Sequence, residues 1–153
     1  MDLVDIDLLR RLEDNARLSF AELAEQMQMT KTPVWKRVKA LESSGAIQGY
    51  RTRLDPKVLG FELEAMIEVT LSFDAAEAFE RAVLRHPAIL RCHATTGEYD
   101  YLLHVLARDM IEMDDLIRYD VARFPGVTRT RSSVVTRAIK REQSLAELMR
   151  ARR

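Results

Sequence analysis

Six cations fall between Gln28 and Arg53 (Lys31, Lys36, Arg37, Lys39, Arg51 and Arg53), against one anion, Glu42. Cations at this density neutralise phosphates, and the residues interleaved with them decide what else the surface can read. Here those residues include Thr32, Pro33 and Trp35. Thr32 and Trp35 are expected near base edges, where an indole packs on sugars or thymine methyls; a partly buried, structural Trp35 is the alternative. Lys31 and Pro33 belong to the same outward face, and Lys36, Arg37 and Lys39 are expected nearer phosphates. A second group, Cys92-His93 with His104, has the residue types of a metal or nucleophile site. Neighbours on a strand point to opposite faces, so Cys92 and His93 do not easily share one small ligand. Glu62, Glu64 and Glu68 read as a solvated or interface-facing sheet edge. The chain has no phosphate-binding Gly-rich loop, no HExxH and no G-x-S-x-G, so neither an enzyme nor a metal or cofactor site is expected.

The cations need a scaffold, and the run from Phe20 to Ile47 (FAELAEQMQMTKTPVWKRVKALESSGAI) supplies one. Before it, Ile6, Leu8, Leu9 and Leu12 mark a first helix with Asp5 or Asp7 near its start. Ser19 and Glu22 have capping-box spacing for a helix over Phe20 to Met27, which buries Phe20, Leu23, Ala24 and Met27. Thr30 is placed to cap the next helix and Pro33 lies in its first turn, with Val34, Val38 and Leu41 inward. This is the pattern of a helix-turn-helix, whose second helix enters the major groove of DNA. A small helical protein-binding module is the rival. Gln28 stands where such turns commonly carry Gly, and a non-Gly residue at positive φ is uncommon. Gly45 ends the helix, and Ala46 to Leu54 alternates like a wing strand with Arg51 and Arg53 on one side.

Asp55-Pro56 and Gly60 mark a linker. Beyond it, Ala65, Ile67, Val69 and Leu71 alternate with Glu64, Met66, Glu68 and Thr70 as a half-buried strand. Ala75 to Arg85 reads as a helix with Ala76, Phe79 and Val83 inward, stopped by His86-Pro87. Strands follow over Ile89 to Thr95 and Tyr99 to Ala107 around Thr96-Gly97-Glu98. A helix over Met110 to Phe124 and a strand over Val127 to Ile139 complete a β-α-β-β-α-β order, the ferredoxin-like arrangement. The expected fold is therefore α+β: a winged helix-turn-helix over 1–53, a linker over 54–61, a ferredoxin-like domain over 62–141 and a basic tail over 142–153. A sheet of this size with one uncovered face favours burial against a second copy, so a homodimer is expected.

Lys and Arg balance Asp and Glu at 24 each, but unevenly. Asp55 to Gly126 carries seven cations and fourteen anions, whereas Val127 to Arg153 carries eight cations and two anions. The acidic start is unlike a signal peptide, and no apolar run reaches the roughly 18–20 residues that span a membrane. A single cysteine fits a reducing cytoplasm.

Along nearly its whole length the chain resembles the leucine-responsive/asparagine-responsive (Lrp/AsnC, feast/famine) regulators. The resemblance rests on Asp5-Ile6-Asp7, on ELA at Glu22 to Ala24, on TPVWKRVKALESSGAIQGY from Thr32 to Tyr50 and on the linker LDPKVLG. It continues through CHATTGEYDYLLHV from Cys92 to Val105 and FPGVTRTRSSVV from Phe124 to Val135. It implies a DNA-binding transcriptional regulator with a RAM/ACT-like domain, acting in the cytoplasm on the nucleoid. It also implies dimers that assemble into tetramers or octamers, and an amino-acid-type effector held between dimers. Thr96, Gly97, Glu98, Tyr99 and Asp100 match the family's effector loop, and Ala94, Met110, Ser133, Val134 and Val135 fall where relatives line that pocket. Physically, Gly97 permits close backbone approach to a carboxylate, and Asp100 could balance an ammonium group. A plain hairpin turn at Gly97 and a local pairing role for Asp100 are the alternatives. A metabolite-sensing module or small enzyme that does not bind DNA is the rival function.

Overall fold

The computed structural model describes residues 1–152. The chain divides into two compact units: Met1–Arg53 together with the stretch from Ile139 onwards, and Leu54–Ala138. Among the described residues no helix is long and apolar enough to cross a membrane.

The first unit is built on α1 (Leu3–Asp14), α2 (Phe20–Gln26) and α3 (Lys31–Ser43). Asp2, rather than Asp5 or Asp7, caps α1. Its carboxylate accepts from the N–H of Asp5, whose own carboxylate accepts from the N–H of Asp2. Ser19 and Glu22 form the expected reciprocal pair at α2, satisfying two N–H groups that a helix start leaves open. Leu8, Leu12, Leu23, Ala24, Val34, Val38 and Leu41 form one buried cluster.

Gln28 takes φ 54°, so the turn between α2 and α3 forms with glutamine in the left-handed region. The N–H of Met29 reaches the carbonyl of Ala24 at 2.9 Å and that of Gln28 reaches Glu25 at 3.1 Å, the two bonds of a Schellman closure. Thr30 occupies the cap position of α3, but its side chain makes no capping bond. The expected wing strand does not form: residues 46–54 bend at Ala46 and Ile47 and carry no strand pairing. The segment is held instead by the Tyr50 hydroxyl, which donates to Glu42 at 3.0 Å.

The segment expected to be a basic tail folds back as α6 (Leu145–Ala151) onto α1. The Glu13 carboxylate of α1 accepts from the Ser144 hydroxyl and from the N–H groups of Leu145 at 3.0 Å and Ala146 at 3.3 Å. It thereby caps the start of α6, and Ala146, only 2% exposed, lets the two helices approach closely.

The second unit begins with a hydrogen-bonded turn over the expected linker, closed by the Phe61 N–H on the Pro56 carbonyl at 2.9 Å. β1 (Leu63–Leu71), α4 (Ala76–Arg85), β2 (Ile89–Ala94), β3 (Tyr101–Ala107), α5 (Met110–Asp115) and β4 (Val127–Val134) follow. The sheet is antiparallel in the order β2-β3-β1-β4, as a ferredoxin-like arrangement requires. β4 stops at Val134 instead of Ile139, its pairing with β1 closing on the bond from the Val135 N–H to the Glu64 carbonyl at 2.7 Å. Ala76 is exposed rather than inward.

Ala65, Ile67, Val69, Leu103 and Val105 face Phe79, Val83, Met113, Leu116 and Val121, and these residues make the core. α5 runs on into a π-turn (Leu116–Asp120) and a 3-10 turn (Val121–Arg123). The widened turn brings Val121, five residues after Leu116, into the core. Gly126 is held at φ 74°, and a Cβ there would lie 2.0 Å from that of Ala75, so no other residue fits. The opposite sheet face carries Glu64, Met66, Glu68, Leu102, His104, Arg129 and Arg131, and among the described residues of this unit no helix covers it.

Candidate functional site

Helical periodicity divides α3 sharply. Val34, Val38 and Leu41 are buried, while Lys31, Thr32, Pro33, Lys36 and Lys39 are exposed and Trp35 keeps 44% of its surface. One recognition face thus carries a Thr hydroxyl, an indole and several ammonium groups, on a helix whose other side is fixed by the core.

The cations are not equivalent. Arg37 points back toward α1, where its Nη1 donates to Asp5 at 2.6 Å and Asp2 at 2.8 Å. Those carboxylates hold its guanidinium charged above the usual range. The Asp5 N–H, and then Arg37, hold the Asp2 carboxyl below its ordinary value. The expectation that Arg37 lies with the phosphate-facing cations does not fit this placement, because its charge is already satisfied within the unit. Lys39 donates to Glu42 at 2.7 Å, and Arg53 sits 3.6 Å from Glu142. Among the described residues Lys31, Lys36 and Arg51 make no ion pair.

In the second unit, the loop between β2 and β3 is longer than a tight hairpin and is braced from inside. The Thr95 N–H donates to the Asp100 carbonyl at 2.8 Å, and the Thr95 hydroxyl to that of Tyr99 at 2.6 Å. Asp100 secures the loop to β1: its N–H reaches Val69 at 2.9 Å, and its Oδ2 accepts from the Leu71 N–H at 2.7 Å. Asp100 therefore has a local structural task, the alternative left open by its position in the sequence. The N–H groups of Thr96, Gly97, Glu98 and Tyr99 have no acceptor among the described residues. Gly97, at φ 141°, has no atom beyond its own and its chain neighbours' within 4 Å of where a Cβ would stand. The loop tip is a row of open donors, which is what an anionic group requires.

The other residues expected at the effector site separate into two groups. Ala94 pairs with Tyr101 at the loop end of the sheet. Ser133 and Val134 pair with Met66 and Ala65 at the far end of β1, and Val135 bonds Glu64 there. Met110, 61% exposed, follows β3, whose final residue pairs with Leu63 at that same far end. Ala65 and Leu71 are six residues apart on β1, about 20 Å at ~3.3 Å per residue. One chain does not bring the two groups together.

Sequence reasoning missed a dent beside the loop on the open face, lined by Glu68, Thr70, Glu98, Tyr99, Arg129 and Arg131. The alternation of Arg129 and Arg131 signalled it, since same-parity residues on β4 share the face of Glu68 and Thr70. Cys92 packs against the core, where burial and then Glu80 push its thiol up, whereas His104 bonds Glu64 at 2.8 Å on the opposite face. Those two do not form one site.

A helix-turn-helix with an outward cationic face, followed by a ferredoxin-like sheet with an open-donor loop, defines a DNA-binding protein with a ligand-binding domain. Residues 1–48 match the winged helix-turn-helix DNA-binding family, and residues 64–145 match the Lrp/AsnC ligand binding domain. The leucine-responsive regulatory protein of Haemophilus influenzae is 36% identical over 148 residues, covering 95% of this chain and 89% of that one. Its Escherichia coli K12 counterpart is 35% identical, covering 95% and 90% respectively. A transcriptional regulator from Neisseria meningitidis, solved as an L-Met complex, superposes with a TM-score of 0.91 at 35% identity, covering 95% of this chain and 96% of that one. The chain belongs to the Lrp/AsnC family of transcriptional regulators.

Proposed function

We propose that this protein regulates transcription from operator DNA as a homo-oligomer and that an amino-acid effector tunes that binding. On DNA, Lys31, Thr32, Pro33, Trp35 and Lys36 present the groove-facing surface of α3, while Lys39, Arg51 and Arg53 lie toward phosphates. Arg37 serves as the brace that holds α3 against α1. The protein acts as a regulator rather than a catalyst, in the cytoplasm and on the nucleoid.

The observation that carries the effector reading is the row of unpaired N–H groups at 96–99, with Gly97 leaving the approach open. A ligand carboxylate satisfies such donors, and the L-Met complex of the Neisseria meningitidis regulator supports an amino acid as the class. Met110, Ser133, Val134 and Val135 complete the site from another copy, which makes dimers, tetramers or octamers part of the ligand response rather than a by-product of it.

A thermal-shift series with the twenty amino acids tests this reading, because a ligand that binds only the folded state raises its melting temperature. At least one amino acid should stabilise the wild type and shift its affinity for its own upstream DNA. Gly97→Trp should remove both effects while leaving DNA binding intact. No stabilisation by any of them, or an undiminished response in Gly97→Trp, would contradict the effector assignment.

A further inference from the structure

The chain returns to its DNA-binding unit after leaving the sheet, and the returning piece is basic. Residues 1–53 hold nine cations and eight anions, an excess of one. Residues 139–152 add Lys140, Arg141, Arg150 and Arg152 against Glu142 and Glu147, raising the excess to three. The remaining unit, 54–138, has ten cations and fourteen anions. A protein of zero net charge thus concentrates its positive charge on the unit that carries α3, and most of that excess comes from the returning segment.

Geometry fixes the segment in place. Glu142 lies 3.6 Å from Arg53, which brings the stretch containing Lys140 and Arg141 beside Arg51 and Arg53 of the wing segment. Further on, Glu13 clasps the start of α6, and Ala146 buries its middle against α1. The anions are occupied internally: Glu142 by Arg53, and Glu147 by the Gln143 amide at 2.9 Å and the N-terminus of its own helix. Lys140, Arg141, Arg150 and Arg152 are all exposed. An exposed segment with four bases and two acids leaves a surface with a polyanion as its natural complement.

Resting on the DNA-binding reading, we propose that residues 139–152 form a second phosphate-binding element, in which Lys140, Arg141, Arg150 and Arg152 extend the backbone footprint of α3 and the wing. They supply affinity without sequence preference, because phosphate contacts position a protein whereas base contacts specify.

The test is the salt dependence of binding by the full chain to its own upstream DNA, measured by anisotropy across NaCl concentrations. Neutralising Lys140, Arg141, Arg150 and Arg152 together to Gln should flatten the log–log slope by about 0.9 for each phosphate no longer neutralised, so by about 1.8 for a dimer in which each subunit releases one phosphate. The ratio of operator to random-DNA affinity should stay as in the wild type. Arg81, Arg85, Arg108 and Arg118 changed together to Gln remove the same charge from the other unit and should leave the slope unchanged. A wild-type slope in the first variant, or an equal flattening in the second, overturns the proposal. If the DNA-binding reading itself were wrong, the wild type would show no salt-dependent affinity, and Lys31→Gln with Lys36→Gln would change nothing.

Discussion

The two units differ in how much of their work one chain completes. In the first, every element of the DNA-facing surface converges: α3 shows its polar side outward, Arg37 fixes it to α1 through two carboxylates, and α6 closes over the back under the Glu13 clasp. In the second, the loop of open N–H donors and the residues proposed to complete its pocket sit at opposite ends of a sheet. A surface that reads DNA can be monomeric in construction, whereas a ligand site assembled from two ends of a strand couples occupancy to assembly. Under the proposed shared site, that difference would give a small molecule leverage over the spacing of paired recognition helices without its touching them.

The largest expected effect breaks the second unit alone. Gly126→Ala puts a Cβ against Ala75 at a left-handed backbone position, and should cost about 2–4 kcal/mol through overpacking and backbone strain. Chemical denaturation should show the destabilisation in the sheet unit, with the fluorescence of Trp35, the single tryptophan, changing in a separate transition.

Within the first unit, Arg37 and Lys36 should separate stability from binding. Arg37→Ala strips two carboxylates of their partner and should lower the melting temperature by a few degrees, as expected for a partly exposed ion-pair network, with the salt slope of DNA binding unchanged. Lys36→Gln should do the reverse, leaving the melting temperature alone and flattening the slope by about 0.9 for each phosphate it neutralises. Equal salt slopes in the two variants would remove the distinction.

Titration should also divide the units. Asp2, Asp7, Glu22 and Glu42 of the first unit all have lowered carboxyl values. The causes differ: at Asp2 and Glu22 backbone N–H groups lead, at Glu42 it is the bond from Lys39, and at Asp7 the bonds from Arg11 and Arg10 outweigh the opposing effect of burial. A lowered folded-state value means stability that is present above the unfolded values of 3.8 and 4.5 and is lost as pH falls through the folded ones. Glu112 of the second unit is lowered likewise, by the Arg108 N–H and then its side chain, so among the described residues the first unit holds four such carboxylates and acid should loosen the Trp35-bearing unit first. Tyr101 has the opposite sense. Its hydroxyl donates to Glu80 at 2.7 Å and is pushed up to about 12 from 10.0, so its contribution is whole below pH 10.0 and lost as pH rises toward 12.

The smallest expected change is favourable. Gln28→Gly relieves a left-handed residue at the cost of a more flexible unfolded chain, and should raise stability by about 0.5–1 kcal/mol in a denaturant melt without altering DNA affinity.

Much of this was legible in the residues. Helical and strand periodicities located α1 to α5 and the four strands of the sheet but not α6, and Ser19 with Glu22 announced its capping box. Other features were not, because they depend on partners remote in sequence. Nothing near Arg37 reveals that it faces Asp2 and Asp5 thirty-odd positions earlier. Nothing near Glu13 says that it caps a helix beginning at Leu145. The wing's alternation described a strand that the structure does not form, because alternation alone could not supply a partner to pair with it. The effector residues were gathered by motif, and motif order does not show that β1 holds them about 20 Å apart.

A ligand site shared between copies is most directly tested by mixing subunits. Gly97→Trp blocks one end of the sheet and Val134→Trp the other, and each alone should bind DNA but ignore the effector. Co-assembled, they create sites in which an unaltered loop meets an unaltered β4 end, so effector-dependent DNA binding should return in part. A mixture as unresponsive as its parents, or a Val134→Trp protein that responds fully by itself, would contradict a shared site.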